Sequence, residues 1–533
     1  MDLMELPESQ REDGAAVFAE IFRQRKQGTK NENGAWVSPA FPKLVYGLSE
    51  LNCREDTPYW WLTVLGAECT ARRMVPDYWS DKILYQWKYK GKLLSIRERC
   101  AKWGDESIWG KNPFKDLSDG ECDVLDAYAL DECVALYEGE KRRLPQEQRE
   151  KAERLIARYN IPYYKVVPPT YAPMGCRSAL TPDFIHYKYW GRFNSGVCTI
   201  NLPYTAMLAM RDAKGKSQEE RIKAFWNRME ETLDIVHESL QVRHKRLRGT
   251  RVEAAPLLWR YGALARFPAG AVIDPLLFNN YSTISVGYAG LYECVYALTG
   301  KSHSDPETRK FALEIMDCMN DHCAKWRTEE NISYSLYGTP IESTTYKFAK
   351  ALRNDFQDLA GIPEIDEIFS HDYVTNSSHL SVREKISIFD KFTVEAEFQR
   401  LSPGGSVHYA ECVHMEDNIP AVLEVIKFLY DTILYGELNT KSDFCLECGY
   451  DKEIPMVLGE DGKWKFKCPQ CGNANPTRMS IIRRICGYLG SNDFNQGRKD
   501  EMADRFVHLG GDVDETTPSI AKIAYMRDVC GCC

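Results

Sequence analysis

Four cysteines stand in two C-x-x-C pairs, Cys445 with Cys448 and Cys468 with Cys471, and 19 residues separate the pairs. Thiolates at that spacing can converge tetrahedrally on zinc and leave no coordination position open, so the ion they imply is structural rather than catalytic. Gly449 and Gly472 follow the pairs and suit the tight turn each knuckle needs. Four unliganded thiols or an iron–sulfur cluster are the alternatives for the same letters. Twelve residues beyond Cys471 begins Arg483-Arg484-Ile485-Cys486-Gly487-Tyr488-Leu489-Gly490. A glycine α-hydrogen is unusually easy to abstract, because the radical left behind spreads over the adjacent amide nitrogen and carbonyl and no side chain twists it out of plane. A Gly-Tyr pair alone reads as a turn. The four-cysteine site just upstream is what makes this segment a candidate for chemistry.

The elements that must position these residues alternate in type. GVCTINLPY reads as a strand before a helix over 217–246, STISVGYAGLYECVYAL leads into a helix over 306–327, and ISYSLYGTP precedes the helical ESTTYKFAKAL. Short apolar strands followed by helices predict an α/β barrel or doubly wound sheet, with chemistry at the carboxy ends of the strands. Residues 1–80 read as packing helices and an entry segment, FAEIFRQRK and WWLTVLGAECTARRM being the helical runs, the second ending before Pro76. Residues 81–170 are richer in clustered charge and aromatics and read as an insert of unassigned role, with a helix near LPQEQREKAERLIARY. The barrel portion then spans 171–440, the zinc ribbon 441–475, the glycine loop 476–510 and a cysteine-rich tail 511–533.

Hydrophobic residues at 44% and charged residues at 27% describe a globular chain able to bury a sizeable core. The formal charge of −9 gives no global reason to expect nucleic acid or an anionic membrane as partner. The basic run from Arg243 to Arg251 reads as a solvated face or rim loop. The amino terminus MDLMELPESQRED is acidic and without an apolar segment, and no later run could span a bilayer. The expectation is a cytoplasmic protein whose 19 cysteines serve as thiols, ligands or redox groups rather than disulfides. There is no H-E-x-x-H and no G-x-x-x-x-G-K-[ST], which removes support from hydrolase and kinase readings.

The R-x-C-G-Y-L-G segment behind a four-cysteine site resembles the anaerobic (class III) ribonucleoside-triphosphate reductases of the glycyl radical enzyme family. The resemblance extends through FPKLVYGL (41–48), AECTARRMVPD (67–77), GRFNSGVCTINLPY (191–204), SVGYAGLYE (285–293), SLYGTPIEST (335–344), DYVTNSSH (372–379) and Gly404-Gly405 with VHY. It implies a ten-stranded barrel, present here in its second half, with a finger loop, zinc ribbon and glycyl-radical loop. By resemblance Gly487 stores the radical, and Cys176 in PMGCRS becomes the thiyl that takes the ribose 3′-hydrogen. A sulfur suits that relay, since its S–H bond is close in strength to both a glycyl and a ribose C–H bond. Cys198 and Cys294 read as core residues. The turn Gly338-Thr339-Pro340-Ile341-Glu342-Ser343-Thr344 ends a strand and opens a helix, where amides and hydroxyls can take the substrate's phosphates. A capping box explains the same letters and is compatible with that use. Asn194 and Asn376, with His379 nearby, could face the ribose. Implied besides are zinc on Cys445, Cys448, Cys468 and Cys471, formate as reductant, a radical-SAM iron–sulfur activating enzyme and a homodimeric assembly.

The family's nucleotide-sensing cone and first barrel half have no counterpart ahead of FPKLVYGL. Two accounts fit: a separate polypeptide supplies that half, or the chain is an inactive remnant. The retained Gly487, Cys176 and zinc ligands favour the first. The other classes considered are a pyruvate formate-lyase-like glycyl radical enzyme, which would not be expected to carry the zinc ribbon, and a zinc-ribbon regulatory module. The tail Cys530, Cys532 and Cys533 has no assigned role.

Overall fold

The computed structural model describes residues 2–510 except 5, 33, 40, 170–172, 175–176, 190, 262–265, 486 and 492–493. Helices α1 (Arg11–Gln27) and α2 (Trp60–Arg73) bracket strand β1 (Val45–Leu48) and lead into β2 (Asp77–Ser80). Pro76 ends the second helical run as expected, since proline disfavours helical backbone in the residue before it. The stretch 81–170 is helical among its described residues, with α3 (Asp119–Tyr137) and α4 (Gln146–Arg158) the longest pieces. Ser118 and Glu121 form a capping box at the start of α3. Ile96, Trp103, Phe114, Leu125, Ala152 and Leu155 give this stretch a small core of its own.

The three strand-helix units follow. Strand β3 (Phe193–Asn201) feeds α5 (Leu202–Asp212) and α6 (Gln218–Leu247), β4 (Ser282–Ala289) feeds α7 (Leu291–Thr299) and α8 (Pro306–Glu330), and β5 (Ser333–Gly338) feeds α9 (Thr344–Asp355). Ser217 and Glu220 cap α6 reciprocally, and its buried residues Phe225, Met229, Leu233, Val236, Leu240 and His244 recur every three or four positions. Every residue of β4 and of β5 is buried, which is what a parallel sheet covered on both faces requires. Each large apolar side chain buried there contributes roughly 1.5–3 kcal/mol. The three strands pair in parallel in the order β3-β4-β5.

Helix α10 (Ile388–Arg400), β6 (His408–Glu411), α11 (Ile419–Thr432) and β7 (Tyr435–Asn439) complete a second sheet, ordered β6-β7-β2-β1. Its two parallel pairs meet antiparallel where Tyr435 faces Trp79. Among the described residues the barrel is therefore two sheets of three and four strands, not a closed ring. After the second sheet come the cysteine knuckles, the hairpin of β8 (Ile482–Ile485) and β9 (Tyr488–Ser491), and α12 (Gln496–Ala503). No helix of the described residues is long and apolar enough to cross a membrane.

Candidate active site

Gly487 occupies the tip of the β8-β9 hairpin. Ile485 pairs with Tyr488, so the connection is the two residues 486 and 487. Such short turns need positive φ, and Gly487 has φ 105° while being buried. Side chains alternate along a strand, so the adjacent arginines of β8 face opposite ways. Arg483 pairs with Asp443, whose carboxylate also accepts from the amides of Ile482 (3.1 Å) and Ile454 (2.8 Å). Arg483 additionally donates to the Ile454 carbonyl at 3.0 Å, which fastens the hairpin to the cysteine knuckles.

Arg484 faces the barrel. Its guanidinium lies 2.9 Å from Asp77 on β2 and 3.3 Å from Glu437 on β7, and it donates to the Met74 carbonyl. Lys43 completes a buried quartet, 2.9 Å from Asp77 and 3.0 Å from Glu437. The same ammonium donates to the carbonyl of Gly487. Burial pushes both carboxyls up. At Asp77 the Arg484 guanidinium and the Lys43 ammonium outweigh burial and hold the group below its ordinary value. Glu437 also faces the Asp77 charge and ends above its ordinary value.

Cys176 lies outside the described residues, as do Cys486, Cys530, Cys532 and Cys533. The backbone flanking Cys176 forms a tight ladder, Pro173–Met174 against Ser178–Ala179. That loop rests on the glycine pair quoted in the sequence: the Ala179 amide donates to the Gly404 carbonyl at 2.8 Å, and the Gly405 carbonyl accepts from the Gly338 amide at 3.0 Å. A Cβ on Gly405, whose φ is +115°, would stand 2.1 Å from the Arg177 carbonyl. Arg177 itself is fully buried and donates to the Gly338 carbonyl at 3.3 Å.

The turn after β5 and the segment 372–379 come together. Asn376 accepts from the Ile341 amide at 3.3 Å, and Thr345 donates to the Val374 carbonyl at 2.6 Å. Thr339 is nearly buried and within 3.0 Å of Thr199 on β3. Ser343 is the N-cap residue of α9 but makes no side-chain capping bond, so the capping box considered from the letters does not form, and Glu342 and Ser343 are exposed. Thr344, the first residue of α9, is half-buried. Asn194 sits apart, at the bulged start of β3, donating to Ser285 at 2.6 Å. Arg498 of α12 donates to the Ile341 and Glu342 carbonyls, both at 3.1 Å, and so ties the turn to the element that follows the glycine loop. Cys294 is a fully buried core residue, whereas Cys198 is only half-buried.

The cysteine knuckles fit zinc. A tetrahedral Zn–S bond of ~2.3 Å sets ligand sulfurs about 3.8 Å apart. Here Cys445 and Cys471 are 3.7 Å apart, Cys448 and Cys468 are 3.6 Å apart, and all four sulfurs lie within 4.8 Å of one another. Gly449 and Gly472 take φ of 76° and 74°, and their amides return to the Cys445 and Cys468 carbonyls at 2.9 Å. A second donor group, His379, Glu395 and His408, is fully buried. Lys391 already sits on Glu395, and burial holds both imidazoles below their ordinary value. His408 hydrogen-bonds Glu395 at 2.9 Å and Ser406 at 3.1 Å, whereas neither ring nitrogen of His379 has a hydrogen-bond partner among the described residues, so the lysine and not a metal ion is the cation on this carboxylate network. Sequence reasoning missed this network and the Lys43, Asp77, Glu437 and Arg484 quartet. Lys43 and Asp77 do lie in FPKLVYGL and AECTARRMVPD, but charges paired across several hundred residues leave no local pattern.

The family model described as anaerobic ribonucleoside-triphosphate reductase matches residues 127–508. The chain is 34% identical over 350 residues to the anaerobic ribonucleoside-triphosphate reductase of Salmonella typhimurium, covering 63% of this chain and 46% of that protein. It is 32% identical over 344 residues to the protein of the same name from Enterobacteria phage T4, covering 63% of this chain and 53% of that protein. The chain thus spans about half the length of the curated relatives it matches. A solved structure described as anaerobic ribonucleotide reductase superposes with a TM-score of 0.52 at 14% identity, over 94% of this chain and 60% of that one. At that identity the likeness speaks for a common barrel fold.

Proposed function

This chain belongs to the anaerobic ribonucleoside-triphosphate reductase family, and from that premise we propose that it carries the radical-bearing part of an enzyme that reduces ribonucleoside triphosphates to deoxyribonucleoside triphosphates. The observation that carries the reading is Gly487 itself, a buried glycine at positive φ in a two-residue turn pinned from both sides by Arg483 and Arg484. A separate iron–sulfur protein reduces S-adenosylmethionine by one electron to methionine and a primary carbon radical. That radical takes the Gly487 α-hydrogen atom. Cys176 gives its thiol hydrogen to Gly487, and the thiyl removes the ribose 3′-hydrogen. The 2′-hydroxyl takes up a proton and leaves as water, formate supplies the two reducing electrons as it becomes carbon dioxide, and Cys176 returns its hydrogen to C3′ and recovers one from Gly487, which restores the glycyl radical.

Thr339, Ser343, Thr344 and the amides around Glu342 receive the phosphates and Asn376 orients the sugar, while Asn194, apart from them at the start of β3, takes no part in this arrangement. Zinc on Cys445, Cys448, Cys468 and Cys471 fixes the ribbon as a rigid base for the hairpin, which Asp443 and Arg483 transmit. We divide the chain as residues 1–80 for entry helices, 81–170 for the accessory helices, 171–440 for the barrel portion, 441–475 for the ribbon, 476–510 for the radical loop and 511–533 for the tail. A second polypeptide completes the barrel, and the assembled enzyme is a homodimer working in the cytoplasm. Support for the partner comes from β3, which pairs with β4 on one side only among the described residues and exposes Val197, beside the exposed Ile235 and Val242 of α6.

The test is turnover. After anaerobic activation, the chain mixed with a separately expressed first barrel half of this family should convert a ribonucleoside triphosphate to its deoxy form with one carbon dioxide released per product from formate. Absence of deoxynucleotide with and without that polypeptide, in a preparation that carries the radical, would defeat the reading.

A further inference from the structure

Lys43 has an unusual combination of partners. Its ammonium bridges two buried carboxylates, Asp77 and Glu437, and also donates to the carbonyl oxygen of Gly487. Arg484, three residues before Gly487, holds the other oxygens of the same two carboxylates, so two cations and two acidic side chains, with the Tyr435 hydroxyl donating to Asp77 at 3.3 Å, gather beneath the turn. An ion pair taken out of water is costly unless its geometry is well satisfied, and a fold that needed only packing here could use apolar residues. The quartet instead places one ammonium proton against one particular carbonyl.

That carbonyl is part of the radical. When the Gly487 Cα–H bond breaks homolytically, the hydrogen atom passes to the primary carbon radical described above and one electron stays on Cα. The amide nitrogen then donates towards Cα and the carbonyl withdraws, which leaves negative charge on the carbonyl oxygen that the parent glycine does not carry. A cation fixed beforehand at that oxygen stabilises the product of abstraction more than its precursor, the same logic by which preorganised donors act wherever charge develops.

We propose that Lys43 is a tuning residue for the glycyl radical: held in place by Asp77, Glu437 and Arg484, it polarises the Gly487 carbonyl, draws spin off Cα and makes the radical easier to form and longer lived. This rests on the reading of Gly487 as the radical site.

The experiment is frozen-solution electron paramagnetic resonance of the full chain after anaerobic activation. Wild-type protein should give a doublet from the remaining α-hydrogen that collapses to a singlet when the protein is grown on α-deuterated glycine. If no doublet forms, or deuteration leaves it unchanged, the radical assignment and this proposal fall together. With the doublet present, Lys43→Met should widen the splitting, because spin returns to Cα, and should lower radical content per chain several-fold. Lys43→Arg should restore both towards wild type. Should Lys43→Met fail to fold, wild-type protein labelled with ε-¹⁵N-lysine decides the matter by electron-nuclear double resonance, which should detect a lysine nitrogen coupled to the radical. A folded Lys43→Met with unchanged splitting and yield, or no lysine coupling in the wild type, overturns the tuning role while leaving Gly487 in place.

Discussion

Asp443 shows how much of the architecture hangs on single acceptors. Its fully buried carboxylate takes two backbone amides and one guanidinium from segments that are otherwise joined by few bonds. Asp443→Ala would leave two buried amides and Arg483 without that partner, at a cost of about 3–5 kcal/mol. A loss of that size in the unfolding free energy measured by urea titration is expected, and a change below about 1 kcal/mol would mean the ribbon and hairpin are fastened by something else. Gly405 is the converse case, a position where nothing may be added. Its neighbour's carbonyl takes the Ala179 amide beside the Cys176 loop, its own carbonyl takes the Gly338 amide, and a methyl there meets the Arg177 carbonyl. Gly405→Ala should therefore abolish turnover while leaving the Gly487 doublet intact, and the two readouts together locate the damage at the loop rather than at the radical. The sequence showed Gly404-Gly405 as a motif but not its purpose, because what it touches lies more than 200 residues away.

At the scale of elements, α12 links the glycine loop to the turn after β5. Arg498 reaches two carbonyls at the start of α9, and Gly497 lies so close to the 372–379 segment that a Cβ would meet the Asp372 carbonyl at 2.0 Å. Arg498→Met should loosen the phosphate turn and raise KM for the nucleoside triphosphate about tenfold, equivalent to about 1.4 kcal/mol of lost binding. The radical signal should be unchanged. An unaltered KM would show that the turn holds its shape without α12. The elements themselves were largely legible. The spacing of Phe225 through His244 marks α6, and the S-x-x-E letters at Ser217 supply its cap. Strands β4 and β5 were legible as strands, but Ser282, Thr283, Ser285, Ser333 and Ser335 interrupt their apolar residues, so that both faces are covered shows only in the structure. What could not be read was pairing. Nothing local in Val45–Leu48 or Asp77–Ser80 indicates that these short strands sit beside Tyr435–Asn439, since that order is set by the second core that α1, α2 and α11 share.

Over the whole molecule the buried polar interior has a consequence for acid stability. His303 is fully buried; burial lowers its pKa to about 4, and its Nε2 donates to the Ser378 carbonyl at 3.1 Å while Nδ1 has no hydrogen-bond partner among the described residues. The bond to the Ser378 carbonyl and then Glu395 raise that value, too weakly to offset burial, and Arg309 and Lys391 lower it further. His508 is held lower still, at about 3, chiefly by burial and then by Lys391, and its Nδ1 accepts from the Glu411 amide at 3.1 Å, a bond that protonation at that nitrogen would break. Unfolded histidine titrates near 6.5. Between pH 6.5 and these folded values the unfolded chain binds more protons than the native one, so stability rises with pH across that window. The contribution is complete above pH 6.5 and is lost progressively as the solution is acidified towards pH 4 and 3. By pH 5 each of the two histidines should cost about 2 kcal/mol relative to pH 7.5, at about 1.4 kcal/mol per pH unit. His303→Gln keeps a donor for Ser378 but cannot titrate, so its urea stability should fall about 2 kcal/mol less than wild type over that interval. Loss of metal from the cysteine knuckles in acid affects both proteins alike and cancels in the difference. Parallel slopes for wild type and variant would mean that the acid sensitivity arises outside the buried histidines, with the carboxylates of the Asp77–Glu437 quartet the next group to replace.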